Sequence, residues 1–375
     1  MNFKLNSTDL LTALSHIHGI VEVRHTLPIL SNIILKAENN ELIISSTNLD
    51  IYCSDKVDAE ISTPGETSVS AVTFFEIAKR LPPGSEVQFD LNDTQNEIVL
   101  KCGRSKFNLS TLSTDDFPII SESDLSINFV MSAEELIRMI DKTKFAISSE
   151  ETRYYLNGIF FHKAERNSIN FLRAVATDGH RLAQYDIPLP QGAEEMSGII
   201  IPKKTILELR KVLDDAESDI NISLNENKIK FSFSRLKIVS KVIDGTFPDY
   251  TRVIPQNNDK NFKTLNKELK GAIDRVSAVA INEEAKSKAI KISVENNKIH
   301  LSVVSQSKGS AREEIDVNYN GTNVDIGFNA RYLTDICNEI DGEEVSISLL
   351  DSVSPAIILD QTDENLFFVL MPMRI

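Results

Sequence analysis

A chain of 375 residues with 41% hydrophobic and 25% charged residues has the composition of a globular protein, and its length suits three domains of common size better than one core. The formal charge of −15 excludes a surface that attracts phosphate everywhere, because that needs an excess of lysine and arginine. No apolar run of about 18 residues is present to span a bilayer. Met1 to Asn6 carry no apolar leader, and Cys53, Cys102 and Cys337 have neither disulfide nor zinc spacing, so a cytoplasmic location is expected.

In chain order the expected elements recur three times, at intervals of about 130 residues. The first third opens with a helix over 7–18, starting at Ser7 and carrying Leu10, Leu11 and Leu14. A second helix over 73–81 spaces Phe74, Ile77, Ala78 and Leu81 along one face. The turn Ser85-Glu86 then leads into a strand in which Val87, Phe89 and Leu91 alternate with polar residues, the mark of a half-buried strand. This third closes on Phe117-Pro118.

The second third repeats the order. A helix over 132–145 carries Leu136, Ile137 and Ile140, with Ser132 and Glu135 in capping-box spacing. A helix over 203–213 carries Ile206, Leu207, Arg210 and Leu213, then come Ser218-Asp219, the strand of Ile220, Ile222 and Leu224, and Phe247-Pro248. In the last third the helices span 266–278, starting at Asn266 with Leu269 and Ile273, and 329–340, with Tyr332, Leu333, Ile336 and Ile340. Glu343-Glu344, the strand of Val345, Ile347 and Leu349, and the closing Met371-Pro372 follow. One α+β unit of two helices and several strands is used three times, and no glycine-rich strand-to-helix phosphate loop occurs.

The charge is unevenly spread. The six helices carry −1, +1, 0, +3, +1 and −1, so as a set they are mildly basic while the remainder carries −18. If all six faced one side, that side alone would suit an anion; the other reading is that helices take lysine for propensity and solubility.

The motif most able to carry chemistry is Ala176-Thr177-Asp178-Gly179-His180-Arg181-Leu182, placed at a strand end or turn where Gly179 supplies backbone freedom. Ser46-Thr47-Asn48-Leu49-Asp50 and Val304-Ser305-Gln306-Ser307-Lys308 stand at the corresponding points of the other thirds. An enzyme would use Asp178 and His180 as an acid-base pair or as metal ligands. His16, His18, His25, His162 and His300 form no ligand pattern with them, and no G-x-S-x-G nucleophile motif is present, so no catalysis and no cofactor are expected.

Four stretches, Thr152-Arg153-Tyr154-Tyr155-Leu156-Asn157-Gly158, Thr177 to Leu182, Phe247-Pro248-Asp249-Tyr250 and Met371-Pro372-Met373-Arg374, resemble the bacterial sliding clamp family, the beta subunit of DNA polymerase III. The likeness runs from Thr26-Leu27-Pro28-Ile29-Leu30 to the last residue. It implies three clamp domains, over 1–124, 125–253 and 254–375, each with two helices on an inner side and antiparallel sheets outside, in a head-to-tail dimeric ring around duplex DNA. It further implies a non-catalytic processivity subunit that tethers the replicative polymerase and receives short peptides from the clamp loader, other polymerases and repair proteins.

The resemblance also implies site residues. A groove between the second and third domains would comprise Leu156, Thr177, Gly179, His180, Arg181 and Leu182; Pro248, Arg252 and Val253; Asn329, Tyr332 and Val353; and Val369, Met371, Pro372, Met373 and Arg374. Apolar side chains and flexible methionines suit leucine and phenylalanine anchors, and Arg181, Arg252 and Arg374 suit peptide carbonyls or acids. The DNA-facing candidates are Arg24, Lys79, Arg80, Arg138, Lys142, Arg153, Tyr154, Lys203, Lys204, Arg210, Lys211 and Arg275. Phe107 and Leu109 on one side, with Val279 and Ile281 on the other, are the candidate dimer contacts. Two departures from the family pattern, Pro355 in the groove region and His25 beside Arg24, bear on peptide preference and DNA contact.

Overall fold

The computed structural model describes residues 1–22, 27–92, 96–216, 219–280, 289–305 and 308–375. Arg24, His25 and Ile281 therefore lie outside the described residues. Six α-helices are found among them: α1 Ser7–Ile17, α2 Ala71–Ala78, α3 Ala133–Lys144, α4 Lys203–Leu213, α5 Asn266–Ser277 and α6 Ala330–Asn338. All six expected helices are present: the one over 203–213 has both expected ends, and no end of the others is displaced by more than three residues.

Local chemistry explains several of those ends. The cap of α1 is Asn6, not Ser7: its side-chain oxygen accepts from Thr8 N at 2.8 Å. Asn329 does the same for α6, accepting from Arg331 N at 3.0 Å. At the start of α3 the capping box is complete, for Ser132 Oγ accepts from Glu135 N at 3.1 Å while the Glu135 carboxylate accepts from Ser132 N at 3.2 Å.

The three period-two strands are Glu86–Asn92, Ile220–Leu224 and Glu344–Leu349. Each pairs antiparallel with the strand that precedes the first helix of its own repeat, with Phe3 opposite Phe89, Phe129 opposite Ile222 and Phe262 opposite Ile347. The shared register shows that the repeat read from the sequence is structural.

A second device recurs at three hairpins. The two-residue turns Asn39-Asn40, Asn167-Ser168 and Asn296-Asn297 all have both residues at positive φ, between 48° and 63°, and each closes a hairpin. Their backbone twist matches that of the flanking strands, and asparagine tolerates it better than other side-chain-bearing residues.

The chain packs as two compact units, residues 1–137 with 190–243 and residues 138–189 with 244–375. Each unit gathers strands from more than one repeat, because sheets run on from one repeat to the next. In the first unit, strand Leu236–Lys241 pairs with Ile51–Asp58; in the second, Leu366–Leu370 pairs with Arg181–Pro188.

The first unit holds an eight-stranded sheet and a five-stranded sheet, the latter in the order Glu60–Thr63, Asn2–Asn6, Glu86–Asn92, Glu97–Cys102, Ser105–Ser110. In it α1 packs on α2 and on α4. The second unit holds an antiparallel sheet that includes Gly158–Arg166, Ile169–Thr177, Arg181–Pro188 and Leu366–Leu370, and a four-stranded sheet, with α5 packed on α6.

Candidate functional site

The second unit contains an apolar cavity of about 130 Å³. Leu156, Thr177, Gly179, Arg181, Leu182, Pro248, Asp249, Tyr250, Val253, Val369 and Met371 line it. Nine of these belong to the groove set expected from the sequence; Asp249 and Tyr250 do not, although they stand in the same Phe247 to Tyr250 stretch.

Strand ends build the site. Ile169–Thr177 delivers Thr177, the turn Asp178 to His180 reverses the chain with Gly179 at φ 86°, and Arg181–Pro188 leads Arg181 and Leu182 back. Asp178 Oδ1 accepts from His180 N at 2.9 Å and from Arg181 N at 3.0 Å, while Thr177 Oγ1 donates to Arg181 O at 2.7 Å. Asp178 is thus a turn-forming residue, and no acid-base pair with His180 is present. The last strand, Leu366–Leu370, supplies Val369, and Met371 is held by its backbone N donating to His180 O at 2.8 Å.

Arg181 lines the cavity, and each nitrogen of its guanidinium already has a partner within the protein. It is 9% exposed; Nε meets Asp178 at 3.1 Å, Nη1 meets Asp335 at 2.6 Å, and Nη2 donates to Phe145 O at 2.6 Å. It also lies over the rings of Phe145 and Tyr332, 5.0 and 4.3 Å from the centroids. These contacts fix Arg181 as part of the wall. The exposed Arg252, 2.8 Å from Asp249, and the exposed Arg374 remain the open cations of the set.

Beneath the cavity lies a buried charged network. Arg173 grips the fully buried Asp186 with two contacts of 2.7 Å and donates to Tyr250 Oη at 3.3 Å. Tyr250 Oη is 2.9 Å from His162 Nε2, whose Nδ1 is 2.8 Å from Lys163 O. Burial, with the Arg173 charge adding to it, holds the His162 pKa below the usual histidine value. A neutral ring that donates from Nδ1 and accepts the Tyr250 proton at Nε2 satisfies every partner.

The remaining groove candidates lie outside the cavity lining. Tyr332 stacks on His180 with centroids 6.2 Å apart, Asn329 caps α6, and Val353 is exposed. Pro372 and Met373 are half-buried, and Met373 N donates to Gly327 O at 2.7 Å.

Of the basic candidates, Lys142 is corrected outright. It is 6% exposed and its ammonium meets Asp341 at 2.9 Å, so it has no surface to offer DNA. Arg138 is half-exposed and bonds Asp363 at 2.8 Å and Tyr185 Oη at 2.7 Å. Lys79 and Arg80 both pair with Glu76, and Lys203 is half-buried at the start of α4. Lys204 meets Glu22 at 2.9 Å, Arg210 meets Asp214 at 2.8 Å, Lys211 meets Glu208 at 2.7 Å and Arg275 meets Glu313 at 2.9 Å. Surface pairs of this kind are worth about 0–1 kcal/mol, little enough for a phosphate to displace the carboxylate.

Arg153 pairs with Glu150 at 3.2 Å, and its Nη1 would lie 2.8 Å from a Cβ added at Gly179, which puts it at the mouth of the cavity. Tyr154 beside it is exposed.

Phe107 and Leu109 stand on Ser105–Ser110, an edge strand of the five-stranded sheet. Leu109 is only 8% exposed and already serves its own core, whereas Phe107 is half-buried. Val279, in the 3-10 turn Ala278–Ala280, is half-buried too. Among the described residues no three His, Cys, Asp or Glu side chains converge as a metal site requires, and no helix is long and apolar enough to cross a membrane.

The chain matches three family descriptions in succession: the N-terminal domain of the DNA polymerase III beta subunit over residues 1–121, its central domain over 130–249 and its C-terminal domain over 251–374. It is 42% identical to the beta sliding clamp of Caulobacter vibrioides, over the whole of both chains. Among solved structures, the DNA polymerase sliding clamp of Caulobacter crescentus is similar at a TM-score of 0.94 and 42% identity, with 100% of both chains covered. A sliding clamp from Bartonella birtlesii bound to griselimycin is similar at a TM-score of 0.96 and 38% identity, again with 100% of both chains covered.

The repeated units therefore form a three-domain DNA clamp fold of helices and antiparallel sheets. The chain belongs to the sliding clamp family, the beta subunits of DNA polymerase III. It is a processivity subunit, not a catalytic one.

Proposed function

We propose that two copies of this chain close head to tail into a ring around duplex DNA, each contributing three domains over 1–124, 125–253 and 254–375, and that the ring tethers the catalytic subunit of the replicative polymerase. Heterologous contacts close on two subunits only when each turns by half a revolution. The edge strand Ser105–Ser110, with the half-buried Phe107, supports that contact, since an unpaired strand edge is a ready template for another chain.

The basic residues on the helices give weak, sequence-independent contact with phosphate, on the order of 10⁻⁴ to 10⁻⁶ M at physiological salt. Such contact allows sliding, and the closed ring prevents escape. The work is done in the cytoplasm, with no membrane partner.

The apolar cavity of the second unit is the observation that carries partner recruitment. Leu156, Leu182, Pro248, Val253, Val369 and Met371 supply an apolar, adaptable wall for leucine or phenylalanine anchors of short linear peptides from the polymerase, the clamp loader and repair proteins. Removing Met371 to Ile375 takes away one wall. Fluorescence anisotropy with a labelled peptide carrying these anchors is expected to show binding abolished while sedimentation still reports a dimer; retained affinity refutes the groove.

A further inference from the structure

The turn that shapes the cavity has a twin in the first unit. Thr47 Oγ1 donates to Ile51 O at 2.9 Å where Thr177 Oγ1 donates to Arg181 O at 2.7 Å. Asn48 Oδ1 accepts from Asp50 N and Ile51 N at 3.1 and 2.8 Å, just as Asp178 Oδ1 accepts from His180 N and Arg181 N. Lys241 N donates to Asp50 O at 2.8 Å, the distance at which Met371 N donates to His180 O. Leu30, in a 3-10 turn, stands two residues before its strand as Leu156 does, and Phe117-Pro118 answers to Phe247-Pro248.

One of the differences between the twins bears on the cavity. Gly179, at φ 86°, opens onto the cavity, whereas the corresponding residue, at φ 78°, is Leu49. A leucine in the left-handed region is strained, because its Cβ crowds the following carbonyl. Its side chain packs on the cluster of Ile29, Leu30 and Ile34 together with Phe117. Leu30 is the counterpart of the cavity-lining Leu156, so Leu49 packs against the residue whose counterpart lines the open cavity.

We propose that Leu49 is a built-in plug, occupying in the first repeat the place that the anchor of a bound peptide takes in the groove, and so limiting each chain to one peptide. This inference rests on the groove reading above, and it makes the glycine or leucine at this turn the residue that decides whether a repeat binds.

The test is a calorimetric titration of the full-length protein with a short acetylated peptide carrying leucine and phenylalanine. The wild-type protein is expected to take one peptide per chain and Leu49→Gly two. A folded Leu49→Gly protein that still takes one overturns the proposal.

The reciprocal Gly179→Leu keeps it testable if Leu49→Gly does not fold. A Cβ there meets only the flexible end of Arg153, at 2.8 Å, and Leu49 shows that the backbone accepts leucine. Gly179→Leu is expected to lose affinity by at least about tenfold, and its crystal structure to show the new side chain against Leu156. Undiminished affinity, or a side chain turned to solvent, overturns the proposal. A wild-type protein that takes no peptide defeats the groove reading instead, and the crystal structure of Gly179→Leu still decides whether leucine fills the cleft.

Discussion

Asp186→Ala strikes the network under the groove at its most costly point. Asp186 is fully buried, and its two 2.7 Å contacts are the charge partner of Arg173, whose side chain is only 14% exposed. Deleting the carboxylate leaves a desolvated guanidinium unpaired, a loss of about 3–5 kcal/mol. The second unit has about 180 residues, and a domain of that size shifts its Tm by about 2–4 °C per kcal/mol, so its transition should fall by about 6–20 °C.

Differential scanning calorimetry reads this directly, provided the transitions of the two units are fitted separately. The companion Arg173→Met with Asp186→Leu removes both charges and should recover most of the loss, since a buried pair replaced by apolar groups is often close to neutral. A single variant whose Tm moves by less than about 3 °C, or a double variant no better than the single one, refutes the reasoning.

Two further outcomes are expected. His16 lies between Asp55, 2.8 Å from Nδ1, and Asp215, 3.1 Å from Nε2, in the first unit. Burial opposes the charged ring, but the hydrogen bonds to Asp55 and then Asp215 outweigh it and raise the pKa above the ordinary value of about 6.5. Its stabilisation is therefore complete below that value and lost as pH rises through the raised one. His16→Asn should flatten the fall in stability that denaturant titrations show as pH rises above about 6.5, and an unchanged slope contradicts the assignment. Phe107→Asp puts a charge on the edge strand; a concentration series in the ultracentrifuge should show dimer converted to monomer, and an unchanged dimer removes Phe107 from the interface.

The sequence made the local elements plain because they depend on neighbours within a few residues. The alternating strands, the six helices, the Ser132 and Glu135 capping box and the turn at Gly179 all belong to this class. The Asn39-Asn40, Asn167-Ser168 and Asn296-Asn297 hairpins were equally local and equally periodic, and their signal was there to use.

Facts that depend on distant partners stayed hidden. Lys142 reads as a basic helix residue until it is seen to be buried with its ammonium paired to Asp341, 199 positions later. Arg181 reads as a peptide hand until Asp335, 154 positions later, takes its guanidinium. The Arg173, Asp186, Tyr250 and His162 network had no spacing to betray it, and unit boundaries near 137 and 243 follow from sheets that cross repeats. Most groove residues were reached through the family resemblance, which supplied the joint pattern that single residues lacked.

Electron-microscopy class averages of the purified full-length protein at micromolar concentration test the central claim most directly. Closed rings of six similar lobes around a hole wide enough for a duplex are the predicted result. Folded, compact particles without a hole contradict the account, because retention on DNA would then have no topological basis.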